Sequence, residues 1–413
     1  MKARPRETDF SALRLALRLA RRGYGTTSPN PMVGAVLVKN GRIIGRGWHR
    51  RAGGPHAEIE ALRDAQKRGH APRGATLYVT LEPCCTHGRT PPCTEAIIAA
   101  GIRRVVVGAV DPNPRHAGRG FQLLKRAGIA VEEFGVPRSR GSAHQRQSDR
   151  LKAELQTLNE AFNHWIVHRT PFVTVKAAMT LDGKIATARG ESKWITGPAA
   201  RAYGMKLRRG SDAILVGVNT VLADDPSLTV RGALVSGPAR TGLSQKRAGA
   251  ETDAPGLHRI VLDSLARTPL DAKLVTDEYA AWTTIVVSRR APKSRVAALA
   301  RRVRIVVAPA AKPWPPVTRH PSLDLAWLLR KLGGENVTRL LVEGGGEVNA
   351  SFVLGGFAQR VVFFYAPKIL GGQEARKGVA GGGAARLKEI IQLCDVRWQK
   401  LGEDLLLSGL IAK

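Results

Sequence analysis

His56-Ala57-Glu58, followed by Leu81-Glu82-Pro83-Cys84-Cys85-Thr86-His87-Gly88-Arg89-Thr90-Pro91-Pro92-Cys93, is the stretch on which the reading of this chain turns. His56 heads a helical run, Ala57–Arg68, and Cys84 follows a buried apolar strand, Ala75–Leu81. Cys93 precedes a second helical run, Thr94–Ala100, ended by Gly101. The alternation continues outward in both directions. Upstream, Val33–Val38 and Ile43–Trp48 flank Lys39-Asn40-Gly41-Arg42, and an Asn-Gly pair between two apolar runs marks a hairpin. A first helix precedes them, with Thr8 and Asp9 as candidate N-caps and Leu13, Leu17 and Ala20 at helical spacing. Downstream come the strand Arg104–Val110, the helix Gly120–Ala127 and a short strand, Ile129–Glu132. This order predicts a three-layer α/β domain.

The residue types in the opening stretch say what it can do. Two thiolates and one imidazole fill three tetrahedral positions on zinc and leave the fourth for water. Zinc brings the ionisation of such a water near neutral pH. Glu58, two residues past His56, is placed to take the proton and pass it on. Zinc-dependent nucleobase deaminases use this set of groups. The spacing leaves the ligands open. Eight residues separate Cys84 from Cys93 where two are usual; His87 stands at the usual distance and Cys85 adjoins Cys84. A Cys84–His87 pair and a purely structural zinc site are the competing readings. Helix starts after Pro55 and Pro83 would add positive potential and favour thiolate.

After this domain, Val136–Asp149 is polar and basic without apolar periodicity, and reads as a linker. A second α/β pattern follows. Its strand candidates are Phe172–Ala177, Ala213–Val218, Arg259–Asp263, Thr284–Ser288, Arg304–Ala308, Arg339–Glu343 and Arg360–Ala366. Gly232–Gly256 is rich in Gly, Ala, Ser and Pro and reads as a surface loop. Leu340–Gly346 is a strand running into glycines, with a helix expected over Glu347–Leu354. Free N–H groups at such a helix start can cradle phosphate, although no G-x-G-x-x-G spacing is present. The division is therefore 1–150, with its linker at about 136–150, and 151–413.

Composition sets the outer limits. At roughly 150 residues per domain, 413 residues suit two or three domains, and 43% hydrophobic content supplies full cores. No apolar run is long enough to span a bilayer. Cys84, Cys85 and Cys93 cluster while Cys394 stands alone, a pattern of metal binding in a reducing compartment rather than of disulfides. The N-terminus lacks the apolar core of a signal peptide, so a cytoplasmic protein is expected. Net charge is +32, yet the basic residues are scattered and aromatics are 5%, which argues against a specific nucleic-acid surface. Phosphorylated small molecules suit that charge.

Beyond these local readings, Asn30-Pro31, Val33-Gly34, His49, His56-Ala57-Glu58, Leu81–Cys84 and Gly88–Cys93 resemble the bifunctional riboflavin-biosynthesis pyrimidine deaminase/reductase family. Asp111-Pro112-Asn113-Pro114 and Gly118-Arg119-Gly120 fit the same pattern. The resemblance implies a cytidine-deaminase-like fold, His56, Cys84 and Cys93 as zinc ligands, Glu58 as the catalytic proton carrier, and substrate contacts at Asn30, His49 and Arg89. One departure is Thr86, where the family often has His.

In the second half, Lys176–Lys184, Glu191–Gly197, Gly217–Pro226, Leu228–Arg231 and Val342–Gly345 match the reductase part of that family. That part is similar to dihydrofolate reductase in fold and uses NADPH. The resemblance implies a nucleotide site at Ala178, Trp194, Thr220, Asp224, Ser264, Gly345, Gly346, Glu347, Val348, Asn349, Ala350 and Ser351. It implies substrate contacts at Lys176, Ser192, Arg208, Leu228, Arg231 and Glu343, the arginines suiting a ribose phosphate through their guanidinium forks. The expected activity is hydrolytic removal of an amino group from a phosphorylated diaminopyrimidinone ribosylamine, then NADPH-dependent reduction of the ribosyl chain to ribityl. A homo-oligomer is expected from the same family. The rival readings are a nucleic-acid deaminase, favoured by the charge, and a zinc-stabilised binding protein without catalysis.

Overall fold

The Asn40-Gly41 signal is where the first sheet starts. β1 (Gly34–Lys39) and β2 (Arg42–Trp48) pair antiparallel around it, with φ of 49° at Asn40 and 74° at Gly41. A two-residue turn matched to strand twist needs positive φ at both positions. β3 (Thr76–Val79) pairs antiparallel with β1, and β4 (Arg104–Val107) and β5 (Ala130–Glu133) continue in parallel. The order is β2-β1-β3-β4-β5. Ala35 and Leu37 enter one core with α2 (Ala57–Lys67), α3 (Cys93–Ala99) and α4 (Arg119–Arg126); Val36 enters the other with α1 (Glu7–Ala20). Period-two alternation thus feeds both faces, and the three layers follow.

The computed structural model describes residues 7–87, 91–114, 116–135, 143–230, 257–310 and 323–412. The loop expected at 232–256 and the first part of the expected linker lie outside the described residues. From Ala143 that linker is helical: α5 (Ala143–Thr157) and α6 (Glu160–His168) extend the first unit, which ends at Arg169 rather than at 150. Leu151, Leu155 and Leu158, at helical spacing, are buried with α1 in the core on that face. Asn159 at the helix junction accepts from Met32 N at 2.8 Å and donates to Met32 O at 2.9 Å. Asp9 is likewise no N-cap. It lies within α1, buried, and accepts from Tyr78 Oη at 2.6 Å and from both Nη atoms of Arg104 at 2.9 Å.

The second unit is built on β6 (Phe172–Thr180), β7 (Lys184–Ala186), β8 (Ala213–Gly217), β9 (His258–Leu262), β10 (Thr283–Val287), β11 (Arg304–Val307), β12 (Arg339–Val342), β13 (Arg360–Ala366), β14 (Arg376–Lys377), β15 (Leu393–Leu401) and β16 (Asp404–Ile411). Its main sheet runs β11-β10-β9-β8-β12-β6-β13-β16-β15, parallel as far as β13 and antiparallel at the β13-β16-β15 edge. The seven strands expected from the sequence are among these; the β15–β16 hairpin is an addition to them. Val173, Val175, Leu215, Ile260, Val286, Leu340 and Val342 are buried in one core, and the alternate residues Ile214, Val216, Val261, Ile285 and Val287 in another, so both faces of the sheet are covered. Helices α7 (Pro198–Arg209) and α8 (Val218–Asp224) and the helix Gly346–Val353 start beyond strand ends or the loop at 191–197. Among the described residues, no helix is long and apolar enough to cross a membrane.

Candidate functional sites

In the first unit, two glycines of β2 set the position of the site. A Cβ on Gly45 would stand 2.3 Å from Ala61 O, and one on Gly47 would stand 2.3 Å from Ala57 O. Only glycine lets α2 lie this close to the strand. His56 is the N-cap of α2 and Glu58 lies in its first turn, 3% exposed. Cys93 opens α3, and its N–H donates to Cys84 Sγ at 3.3 Å. No helix starts after Pro83; the second helix start, after Pro92, is the one that meets the cysteines.

His56 Nδ1 stands 3.5 Å from Cys84 Sγ and 3.3 Å from Cys93 Sγ, and the three donor atoms lie within 4.8 Å of one another. Ligands on a tetrahedral zinc, with bonds of about 2.3 Å to sulfur and about 2.0 Å to nitrogen, sit about 3.5 Å apart. The donor set and its spacing therefore fit zinc. His87 points elsewhere: its side chain is 72% exposed and lies 3.6 Å from Glu95. Hydrogen bonds from Cys93 and then His56 hold Cys84 well below the usual thiol range, and the same sharing pushes Cys93 up. Burial, with the Cys84 charge behind it, pushes Glu58 up to about 7.

The expected substrate contacts Asn30 and His49 are brought to the same place. His49 Nδ1 lies 3.0 Å from Pro55 O, which fixes the proton on Nδ1 and leaves Nε2 to accept from Asn30 Nδ2 at 3.2 Å. Burial keeps His49 below its ordinary value, consistent with that neutral ring. The His49 and His56 rings meet edge to face at 5.3 Å. Arg89 lies outside the described residues. Two side chains have no role in the sequence reading. Glu82 accepts from the backbone N–H groups of Asp111, Gly118 and Gly120 at 3.3, 3.0 and 3.0 Å, so it ties the Asp111–Gly120 loop beside Cys84. His116 Nε2 stands 3.3 Å from Thr86 Oγ1, so an imidazole from that loop meets the position at which the sequence departs from the family.

In the second unit one cleft of about 2540 Å³ gathers Ala178, Trp194, Thr220, Asp224, Ser264, Gly345, Gly346, Glu347, Val348 and Ser351 with Lys176, Ser192, Arg208, Leu228 and Glu343. Single-ligand pockets hold about 300–1,000 Å³, so there is room for a dinucleotide beside a second molecule. Asn349 and Ala350 are not in its lining; both are fully buried, and Asn349 Nδ2 donates to Gly378 O at 2.8 Å. Arg231 lies outside the described residues. Ser192 Oγ donates to Asp224 Oδ1 at 3.3 Å, joining an expected substrate contact to an expected nucleotide contact.

The glycines before the helix Gly346–Val353 divide by task. A Cβ on Gly344 would stand 2.5 Å from Val348 Cβ, and one on Gly346 would stand 2.2 Å from Lys377 O, so packing excludes a side chain at both. At Gly345, the N-cap, nothing lies within 4 Å of such a Cβ, and no side chain caps the helix. An uncapped helix start whose residues Gly345, Gly346, Glu347 and Val348 line the cleft fits the phosphates of a dinucleotide.

Arg208 differs from expectation. Its Nε and Nη2 each donate to Glu343 at 2.9 Å, and its Nη1 donates to Thr229 O at 3.1 Å. The fork foreseen for a phosphate is engaged by a carboxylate, with Lys176 Nζ also 3.6 Å from Glu343. Burial opposes ionisation of Glu343, but Lys176 and Arg208 outweigh it and hold the carboxyl at about 2. Arg201, Asn219 and Arg267 also line the cleft without having been singled out; isolated arginines carry no pattern by which a sequence could mark them.

Residues 171–407 match the family model for the RibD C-terminal domain, and residues 6–109 match the cytidine and deoxycytidylate deaminase zinc-binding region. The riboflavin biosynthesis protein RibD of Actinobacillus pleuropneumoniae is 40% identical over 98% of this chain and 96% of its own. Acinetobacter baumannii RibD, form 1, is 33% identical with a TM-score of 0.76, covering 98% of this chain and 99% of that one. A diaminohydroxyphosphoribosylaminopyrimidine deaminase/5-amino-6-(5-phosphoribosylamino)uracil reductase from Thermotoga maritima is also 33% identical, with a TM-score of 0.74 and the same coverage. With identity sustained over nearly its whole length, the chain belongs to the RibD family, bifunctional riboflavin-biosynthesis enzymes that join a zinc-dependent deaminase to an NADPH-dependent reductase.

Proposed function

We propose that the first unit deaminates the diaminohydroxyphosphoribosylaminopyrimidine named for the Thermotoga maritima relative, and that the second reduces the ribosyl chain of 5-amino-6-(5-phosphoribosylamino)uracil to ribityl. The observation that carries this reading is the convergence of His56, Cys84 and Cys93 beside the buried Glu58. These three residues would hold zinc, which when bound supplies the Lewis acidity that brings water's ionisation into the neutral range. Glu58 takes one proton from the attacking water and delivers it to the ring nitrogen. It then carries the second, from the added hydroxyl, to the amine, which leaves as ammonia as the C–N bond breaks and the ring carbon becomes a carbonyl. Asn30 and His49, already bonded to each other, orient the pyrimidine, and Arg89 is assigned to its phosphate.

In the second unit NADPH, when bound, supplies the hydride. Ala178, Trp194, Thr220, Asp224, Ser264, Gly345, Gly346, Glu347, Val348 and Ser351 would line its site, while the buried Asn349 and Ala350 support the helix behind that lining. Lys176, Ser192, Arg208, Leu228, Arg231 and Glu343 would hold the substrate. The charged trio Lys176–Glu343–Arg208 keeps one cation-rich wall in place, and positioning is what hydride transfer chiefly asks of the protein. The chain is assigned to the cytoplasm on its clustered free thiols, acts on small phosphorylated molecules rather than nucleic acid, and works as a homo-oligomer.

The test is to follow ammonia release and NADPH oxidation separately, on purified protein before and after removal of zinc by a chelator. Both are expected in the intact protein. Zinc removal is expected to abolish ammonia release while the deaminated uracil still supports NADPH oxidation. Zinc-loaded protein that does neither would sink the reading.

The glycines give a second expected outcome. Gly345→Asp places a carboxylate in open space at the helix start, so the fold survives while NADPH affinity falls at least about tenfold through like-charge repulsion. Gly346→Ala must displace the Lys377 backbone, and is expected instead to lower the melting temperature. Titration of NADPH fluorescence and thermal melts of the two variants distinguish these effects.

A further inference from the structure

Trp194 stands on the wall of the reductase cleft although it is 67% exposed, so packing alone does not hold it. Its backbone is held instead. Lys368 Nζ donates to Trp194 O at 3.2 Å and to Ile195 O at 2.9 Å. Lys368 follows β13, and its own carbonyl accepts from Leu181 N at 2.8 Å, which fixes it to the turn after β6. One residue further on, Arg201 Nη1 donates to Thr196 O at 2.7 Å while its guanidinium lies 4.7 Å from the centre of the Trp194 ring. The loop is closed by Asp404, buried at the start of β16, which accepts from Gly197 N at 2.8 Å. Four consecutive residues, Trp194–Gly197, are thus anchored by side chains from three separate elements. Lys368 reaches two neighbouring carbonyls with one ammonium, and charged donors make the stronger hydrogen bonds.

We infer that Lys368 is a positioning residue for the cofactor: by clamping the carbonyls of Trp194 and Ile195 it fixes the indole as a wall of the NADPH site. This rests on the proposed role of Trp194 in that site. Lys368 itself does not line the cleft, so it acts through Trp194 and never on the reacting atoms. Neither the family motifs nor the position of Lys368 on the exposed turn after β13 marks it for such a role.

The experiment is a double-mutant cycle read by direct NADPH binding (the cofactor's own fluorescence, without turnover) together with steady-state kinetics. Trp194→Ala first tests the underlying reading, and is expected to weaken NADPH binding. Lys368→Ala is expected to raise the dissociation constant and the KM for NADPH about tenfold, the scale of losing a charge-assisted hydrogen bond, with kcat at saturating NADPH changed less than about twofold. Lys368→Arg, which keeps a cation able to reach both carbonyls, is expected to restore binding. In the Trp194→Ala background the Lys368→Ala change is expected to cost little more, because both act through one side chain. If Trp194→Ala weakens binding and Lys368→Ala does not, the clamp is refuted and the site reading stands. Additive effects would refute it as well, since Lys368 would then act elsewhere. If neither change alters binding, the assignment of Trp194 fails and the inference fails with it.

Discussion

Glu58→Gln is expected to cut ammonia release by about a thousandfold, within the range of about 10²–10⁴ that a positioned acid–base group supplies. The substitution keeps the shape of a side chain that is 3% exposed, so α2 and the His56–Cys84–Cys93 cluster should survive it. What is lost is a group that can accept the proton of water and return it to the pyrimidine. Metal analysis should therefore find zinc bound at the wild-type level, and NADPH oxidation with the deaminated uracil should proceed as before. Full deaminase activity in the zinc-loaded Glu58→Gln protein would remove Glu58 from the mechanism.

Glu343→Gln is the second large effect, and it falls on stability and the reductase together. The Glu343 carboxylate is the common partner of Arg208, at 2.9 Å through two hydrogen bonds, and of Lys176, at 3.6 Å. Its side chain is 10% exposed, and its partners are 16% and 20% exposed, so neutralising it leaves two cations facing each other with little water. Breaking one partner of a buried pair costs roughly 3–5 kcal/mol, or about 10 °C in melting temperature for a unit of this size. The pH dependence has a definite sign. Lys176 and Arg208 depress Glu343 from its ordinary 4.5 to about 2, so the ionised carboxylate stabilises the folded state above about 4.5. That contribution is lost as pH falls from 4.5 towards 2, and the melting temperatures of wild type and variant should converge there. A gap that stays constant across that window would show that the trio is not the source of the difference.

Much of this was legible in the chain. Asn40-Gly41 between two apolar runs marks the β1–β2 hairpin because a turn with two positive φ values demands those residues. The strands β8–β10 and β12 carry the apolar runs 213–216, 260–262, 285–287 and 340–342, and burial on both faces leaves that signature locally. Less was readable where a segment's partner lies far off. β15 is exposed along nearly its whole length, so it carries no apolar alternation to announce its hairpin with β16. The helix α5 hides behind a basic, polar opening, with its buried leucines beginning only at Leu151.

For the sites, the sequence by itself determined the chemistry: which residues can bind a soft metal, which carboxylate stands two residues from a histidine, and where a helix begins behind glycines. Those are properties of residue type and short spacing, which survive without a fold. The tertiary structure decided the partners. It chose Cys93 over His87 across eight intervening residues, turned the Arg208 fork onto Glu343 135 residues away, and hung Trp194 on Lys368, 174 residues along the chain. The reason is physical: a side chain takes the partner that packing brings within about 3 Å, and packing is settled by the sum of buried contacts over a whole unit rather than by any local run of residues.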